Sequence, residues 1–539
     1  MHLKNSHKKL FFIVIILGFV ALLSTHPFLR YPYDMIHHLI IIDDIYLQLL
    51  HPLQKVIGIW TNDNYIMIQT KEYESFQLAR PRYLWHYLWA EIFTILQIDS
   101  TQIILRAKII HIVQVSISVA SIYYFSNVIL RNIFKNISIS PLRWLSLWSV
   151  FIWLTIFATF SATYHQVWIM WYSVNYQITL PIFWYILALT VVLLIEDTSW
   201  KIKLFFIFQI LLLSRFMLQV HSMEFLYYLM HITIFTLIFI DKIYLFIIRY
   251  YYIILPLIVA IIYMFILYLP EKPLIFDYFS LEKLPELYQK IMHEGQILIN
   301  GFNRAFASIN ELMYLISILG SFFLVYQFYL YFYKKIQTDI NIRMLIYVTL
   351  TSLFILIPLY QFSGGLFAVT TYTMVVNRFY YSASLFLILP IVIYGIFAKY
   401  KINILYMNLA MILLLTSVSI FSKHNNILQH NYYKNLKSIK NSFNERKVGF
   451  NLNQAQINMI KNRLDLYEKN NTSFKEIRYF ARADIAFVIK YFFHKEVYWK
   501  GRSKDPDYLN SYKKYKYNKK YKNILFKVPK GFPSYRPYT

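Results

Sequence analysis

The chain has 539 residues, is 58% hydrophobic and carries a formal net charge of +27. A soluble protein does not string its apolar residues into long uncharged runs, and barrel strands would alternate apolar with polar residues, so a helical membrane protein is what remains. Cysteine is absent, which excludes disulfides, thiol chemistry and Cys-built zinc sites, and 11 glycines are too few for small-residue contacts to be the main helix glue.

The segment "MHLKNSHKKLFFIVIILGFVALLS" has a basic start and an apolar run of about 15 residues, as a signal peptide does. No A-x-A cleavage site follows, so we read it as a first span with its N-terminus in the cytoplasm. Residues 25–100 are not a simple span. "DMIHHLIIIDDIYLQLLHPLQKVIGIW" mixes apolar residues with Asp34, His37, His38, Asp43 and Asp44, the pattern of a helix lying at the membrane interface. "RPRYLWHYLWAEIFTIL" reads as a second interfacial helix with Pro81 in its first turn.

Further spans are expected near 107–130, 144–161, 178–195, 203–220, 224–240, 251–269, 308–333, 343–361, 380–398 and 402–421, giving about eleven in all. Short loops carrying Arg131, Lys135 and Arg143, then Lys201 and Lys203, Lys242 and Arg249, Lys334, Lys335 and Arg343, and Lys399 and Lys401 fall on one side. The positive-inside rule makes that side cytoplasmic. The long loops 25–106, 162–177, 270–307 and 362–379 fall on the other. The expected architecture is therefore all-α: a polytopic transmembrane domain over 1–422 with interfacial helices in its first outer loop, and a basic extramembrane tail over 423–539. That tail holds 26 Lys and Arg from Lys423 onward against 8 Asp and Glu, an excess of 18. Its span count places it outside, against its charge, although long segments cross largely regardless of charge. Anionic lipid is a better partner for such a tail than nucleic acid, since the rest of the chain is tied to a membrane.

Charges beside spans are costly and mark candidate sites. Asp43, Asp44, Arg80, Arg82, His86, Glu91, Arg106, His165, His221, Glu224 and Arg378 all map to the outer ends, while the cytoplasmic ends hold ordinary flanking Lys and Arg. The pair Asp43–Asp44 is either a general base with a tuning neighbour or a solvated patch. Glu224 in "HSMEF" either orients an acceptor or pairs with His221 or Arg215. Arg378 in "VVNRFYYSASLF" either clamps a phosphate, which its planar fork suits, or snorkels to headgroups. The stretch "WIMWYSVNYQITLP" is either an aromatic belt or the lining of a polar cavity. No HExxH, Walker loop or G-x-S-x-G occurs, and no cytoplasmic domain is large enough to use a nucleotide, so an energy-rich donor has to arrive from the membrane.

In this order the outer-face elements resemble the polytopic GT-C class of glycosyltransferases, in particular bacterial members related to O-antigen glucosyltransferases. The acidic motif after the first span is similar to "IIDDIYLQLL", the Arg-containing motif at the second interfacial helix to "ARPRYLWHYL". The Trp…Asn-Tyr…Pro element is similar to Trp171, Asn175, Tyr176 and Pro181, and the later Glu turn and Arg to "HSMEF" and "VNRFYY". Ala79 stands where the family has glycine before its Arg motif, Ser173 or Val174 stands where a glycine precedes Asn-Tyr, and the gap from Asp44 to Arg80 is long.

The resemblance implies transfer of a sugar from a polyprenyl-phosphate donor to a cell-envelope glycan or lipid on the outer face of a bacterial inner membrane. It implies Asp43 or Asp44 as the base that removes the acceptor proton. Arg80, Arg82 or Arg378 would stabilise the leaving phosphate, and Trp171, Asn175, Tyr176 and Glu224 would bind substrate. A leaving group with one phosphate needs no metal or other cofactor. Loop 270–307 would cover the cavity. The alternative is a transporter of lipid-linked oligosaccharides, for which Gln114, Gln209, Arg215 and Gln327 are the main polar residues away from the outer edge.

Overall fold

A computed structural model describes residues 38–39, 41–43, 45–46, 49, 59–60, 80–99, 102–153, 176–249, 251, 259, 283–306, 320, 322–323, 325–327, 329–330, 340–370, 381–400, 403–421, 454–471, 477–495, 497–498 and 522–527. Helix dominates. The chain divides into two compact units, the first made of residues 1–116, 168–178 and 432–539, the second of 117–167 and 179–431.

In the first unit, His38, Leu39, Ile41, Ile42, Asp43, Ile45, Tyr46 and Leu49 are helical. Strand β1 (Ile59–Trp60) follows, then helix α1 (Arg80–Ile95). Pro81 in the first turn of α1 costs nothing there, because its missing N–H would have had no helical partner. The end of α1 is a Schellman turn. Gln97 takes a left-handed φ of 54°, Gln97 N–H donates to the Thr94 carbonyl and Ile98 N–H to that of Phe93. This turn releases Ile98 next to helix α2 (Ile103–Ile133).

The tail is a folded βα element. Helix α3 (Gln454–Lys469), strand β2 (Ile477–Phe480), helix α4 (Ala483–Phe493), strand β3 (Val497–Tyr498) and strand β4 (Lys522–Leu525) follow in turn. The four strands form a parallel sheet in the order β1-β3-β2-β4, with Ile59 beside Val497, Tyr479 beside Val497 and Phe480 beside Leu525. The all-helical expectation holds for nearly all of the described residues, and this small sheet is an addition to it. Parallel strands need a crossover, and α4 supplies it between β2 and β3. Ile485, Ala486, Phe487, Val488 and Ile489 are all fully buried, so α4 is covered around its circumference. His494 closes it in the left-handed region at φ 50°, where its N–H reaches the Lys490 carbonyl. Burial, and after it the neighbouring Glu468 carboxylate, pushes the Tyr479 hydroxyl above its ordinary value.

Because β1 pairs directly with β3, the tail and the first long loop share one side of any membrane the chain crosses. Backbone pairing thus joins two segments whose charges alone gave conflicting sides.

The second unit is built from apolar helices. Ile139–Ile152, Tyr176–Ile195, Trp200–Val220, Ser222–Ile238, Leu284–Phe306, Ile342–Ser352, Gln361–Thr370, Ile388–Lys399 and Ile404–Phe421 are its principal helices, with 3-10 turns at Leu353–Leu359 and Ser384–Leu387. Among the described residues three helices are long and apolar enough to cross a membrane: Leu105–Ile133, Ile178–Ile195 and Trp200–Val220. A fourth arises if Met223–Ile238 and Ile240–Arg249, bent by 97° where no Pro or Gly stands, form one span. Where runs at 144–161, 343–361, 380–398 and 402–421 were expected, the described residues show shorter apolar helices: Ile139–Ile152, Ile342–Ser352, Ser384–Ala398 and Ile404–Leu413, the last being the leading part of Ile404–Phe421. The runs at 10–24, 251–269 and 308–333 lie largely outside the described residues. Pro181, the last residue of "WIMWYSVNYQITLP", stands inside the helix Tyr176–Ile195, leaving one helical hydrogen bond unmade.

At one end of this unit Arg131 donates to Glu196 (2.5 Å), Asn341 N–H to the Ile133 carbonyl (2.7 Å) and Arg343 to Asp241 (2.6 Å). These loops are among those the Lys/Arg pattern assigns to one side. In the interior, Trp184 is packed by Phe125, Phe183 and Phe386 at ring-centroid distances of 4.7, 4.5 and 5.2 Å. Leu284–Phe306, expected within a covering loop, is an amphipathic helix that crosses Gln361–Thr370 at two glycines. A Cβ on Gly295 would overlap the Gln361 carbonyl oxygen, and one on Gly365 that of Ile291.

Candidate functional site

The first unit holds a buried charged cluster around Asp43. Its side chain is 1% exposed, and its Oδ1 accepts a 2.7 Å hydrogen bond from Arg106 Nη1, itself fully buried. Arg106 is fixed on three sides. Its Nε and Nη2 both donate to the Ile98 carbonyl, at 3.2 and 2.6 Å, and its guanidinium lies 3.9 Å over the Tyr46 ring and 5.2 Å from that of Phe93. The left-handed turn at Gln97 is what presents the Ile98 carbonyl, so a local backbone choice orients the guanidinium that holds the acid. Lys490, from α4 in the tail, approaches from another direction. Its Nζ is 3.9 Å from Asp43 Oδ2, and the residue is 4% exposed. Asp43 Oδ2 has no hydrogen-bond partner among the described residues.

In the same unit, His38 Nδ1 and His86 Nε2 share a 2.7 Å hydrogen bond and stack at 5.0 Å, and Trp85 meets both rings edge-on. His38 comes from the same helical stretch as Asp43 and His86 from the inner face of α1. Burying ions of opposite sign is costly unless geometry and extra hydrogen bonds compensate, and here both kinds of compensation are present on Arg106.

Of the residues the sequence singles out, Asp43 is thus embedded in this cluster, while Asp44 lies outside the described residues. Arg80 and Arg82 occupy the first turn of α1, and Tyr176 opens its helix; the side chains of all three lie outside the described residues, as do Trp171, Asn175 and Arg378 entirely. Glu224 belongs to the second unit, 5% exposed in the first turn of its helix, where its Oε2 is 2.5 Å from His221 Nδ1. Among the described residues no three His, Asp or Glu side chains gather as metal ligands.

Two members of the cluster were not chosen from sequence. Arg106 stood among the outer-end charges without an assigned partner. Lys490 carried a signal that passed unread: it is the one charge in the run "IAFVIKYFF". A lone lysine in a helix that is apolar all round has to meet an anion or a surface.

Fold and site together describe a largely helical protein with helices long and apolar enough to cross a membrane, and a buried acid–guanidinium–ammonium cluster built from its first loop and its tail. Comparison with protein-family models, with curated proteins and with solved structures found no match.

Proposed function

We propose that the protein is a polytopic membrane glycosyltransferase of the GT-C type, with about eleven spans, located in the bacterial inner membrane. It moves a sugar, with a hexose the first candidate, from a polyprenyl-phosphate donor to a cell-envelope glycan or lipid at the outer face. The observation that carries this reading is the Asp43–Arg106 pair. The acidic motif expected after the first span is not a solvated patch at Asp43 but one side of a buried, multiply bonded site. A base has to be held within hydrogen-bond reach of the proton it takes, and a rigid neighbour supplies that.

The division of labour follows from helical geometry. Adjacent residues of a helix do not share a face, and with Asp43 held by Arg106 we assign it the bracing role and leave the base to its neighbour in sequence. In this reading Asp44 removes the acceptor proton and the hydroxyl oxygen attacks the anomeric carbon. The bond from that carbon to the phosphate oxygen breaks, and the polyprenyl phosphate leaves with the bonding pair. Arg80, Arg82 or Arg378 stabilises the charge that develops on it. Trp171, Asn175, Tyr176 and Glu224 serve the sugar and acceptor.

Mass spectrometry of envelope glycans and lipids, from cells producing the parental chain or Asp44→Asn at equal membrane levels, tests this. Asn keeps the shape and loses the basicity, and a positioned base is worth about 10²–10⁴-fold in rate. The parental chain is expected to add a sugar increment that the variant does not. Identical glycans in the two strains, and in cells lacking the protein, would contradict it.

A further inference from the structure

We infer that Lys490 is a positioning residue of the Asp43 site, so that the folded tail is a working part of the reaction centre and not an appended lipid-binding arm. The inference rests on the proposed transfer reaction for its kinetic consequence and on geometry for its basis. Lys490 projects from a helix whose preceding five residues are fully buried, and is 4% exposed. Bringing an ammonium into such a place is unfavourable unless an anion is near, and Asp43 Oδ2 is 3.9 Å away. The other carboxylate oxygen is already taken by Arg106 at 2.7 Å. Two cations far apart in sequence therefore flank one carboxylate, Arg106 hydrogen-bonded to Oδ1 and Lys490 paired at longer range with Oδ2, and Asp43 precedes the proposed base by one residue.

The sheet explains how the tail is registered for this. Pairing of Ile59 with Val497 and of Trp60 with Tyr498 fixes β3, and α4 leads into β3, so strand register sets where Lys490 falls. Shifting that docking moves the ammonium away from the Asp43 carboxylate. A displacement of about 1 Å at a reacting group costs about 10²-fold in rate.

The test is a double-mutant cycle on the full chain in membranes, with parental, Lys490→Met, Asp43→Asn and combined variants, plus Lys490→Arg. Methionine keeps the unbranched stem and suits the apolar surroundings. The chain has no cysteine, so Ile59→Cys with Val497→Cys reports by oxidative cross-linking whether the sheet is formed in each variant. With cross-linking intact, Lys490→Met is expected to lower kcat about 10²-fold while donor KM stays unchanged, and Lys490→Arg to restore most of the rate. The combined variant should be no slower than the slower single one, because both changes act through one contact. A parental kcat in Lys490→Met, or effects that simply multiply, would overturn the inference. Thermal unfolding of the same four chains gives a cycle that needs no substrate. Coupling between Asp43 and Lys490 there is the expected result, and strict additivity overturns the contact. A parental chain that transfers no sugar counts against the proposed reaction instead, and the unfolding cycle still decides whether Lys490 holds Asp43.

Discussion

The two units bury polar groups in different ways. The first takes full charges inside: Asp43, Arg106 and Lys490, each at most 4% exposed. The second unit buries Glu224 beside His221, but much of its buried polarity is hydroxyl. Ser146, Ser149, Thr190, Thr351 and Ser352 each donate to a backbone carbonyl of their own helix, and His231 lies between the Tyr347 hydroxyl and the Ser382 carbonyl, both at 2.8 Å. A hydroxyl satisfied within its own helix lets that helix sit in an apolar setting, and its bond to a neighbour, as between Thr190 and Tyr228 or Thr351 and Ser384, is an addition. A charge cluster is a different investment, since removing one member leaves the others stranded. Buried hydroxyls therefore read as packing, and the buried charges as a site.

That contrast can be broken first where the expected effect is largest. Arg106→Met leaves Asp43 buried with the more distant Lys490 as its cation among the described residues and should cost about 3–5 kcal/mol in unfolding experiments in detergent. Adding Asp43→Leu should return much of that stability, since an apolar pair can replace an ion pair. A next, smaller effect belongs to the second unit. Gly295→Ala sets a methyl group against the Gln361 carbonyl oxygen and should cost about 1–3 kcal/mol, read as a lowered Tm. Smallest is the exposed pair Arg131–Glu196, where solvent screens the attraction. Arg131→Gln should change stability by less than about 1 kcal/mol, and a loss as large as that of Arg106→Met would erase the distinction between buried and exposed charge.

Much of the helical content was legible because it is local. Pro81 marks the start of α1, the apolar run at 178–195 is a helix over the same residues, and the acid at Asp43 follows from its place among apolar neighbours. The sheet was not legible. Its strands are two to four residues long, too short to show alternation, and β1 pairs with a strand from the far end of the chain. The partners of Asp43 were hidden for the same reason, since Arg106 and Lys490 meet it only through tertiary contact. The 97° bend after Ile238 has neither Pro nor Gly to announce it. Glycine is scarce, yet Gly295 and Gly365 make one close approach between helices, a pairing that composition does not reveal.

The most direct measurement of the central claim sets one residue from each unit side by side: sugar transfer per folded molecule in Asp43→Asn and in His231→Phe. His231→Phe removes two hydrogen bonds from an apolar interior and should lower stability by about 1–3 kcal/mol, with each folded molecule transferring at the parental rate. Asp43→Asn should leave folded molecules that transfer about 10²-fold more slowly. Folded Asp43→Asn working at the parental rate would contradict the account, because the buried charges would then serve only the fold.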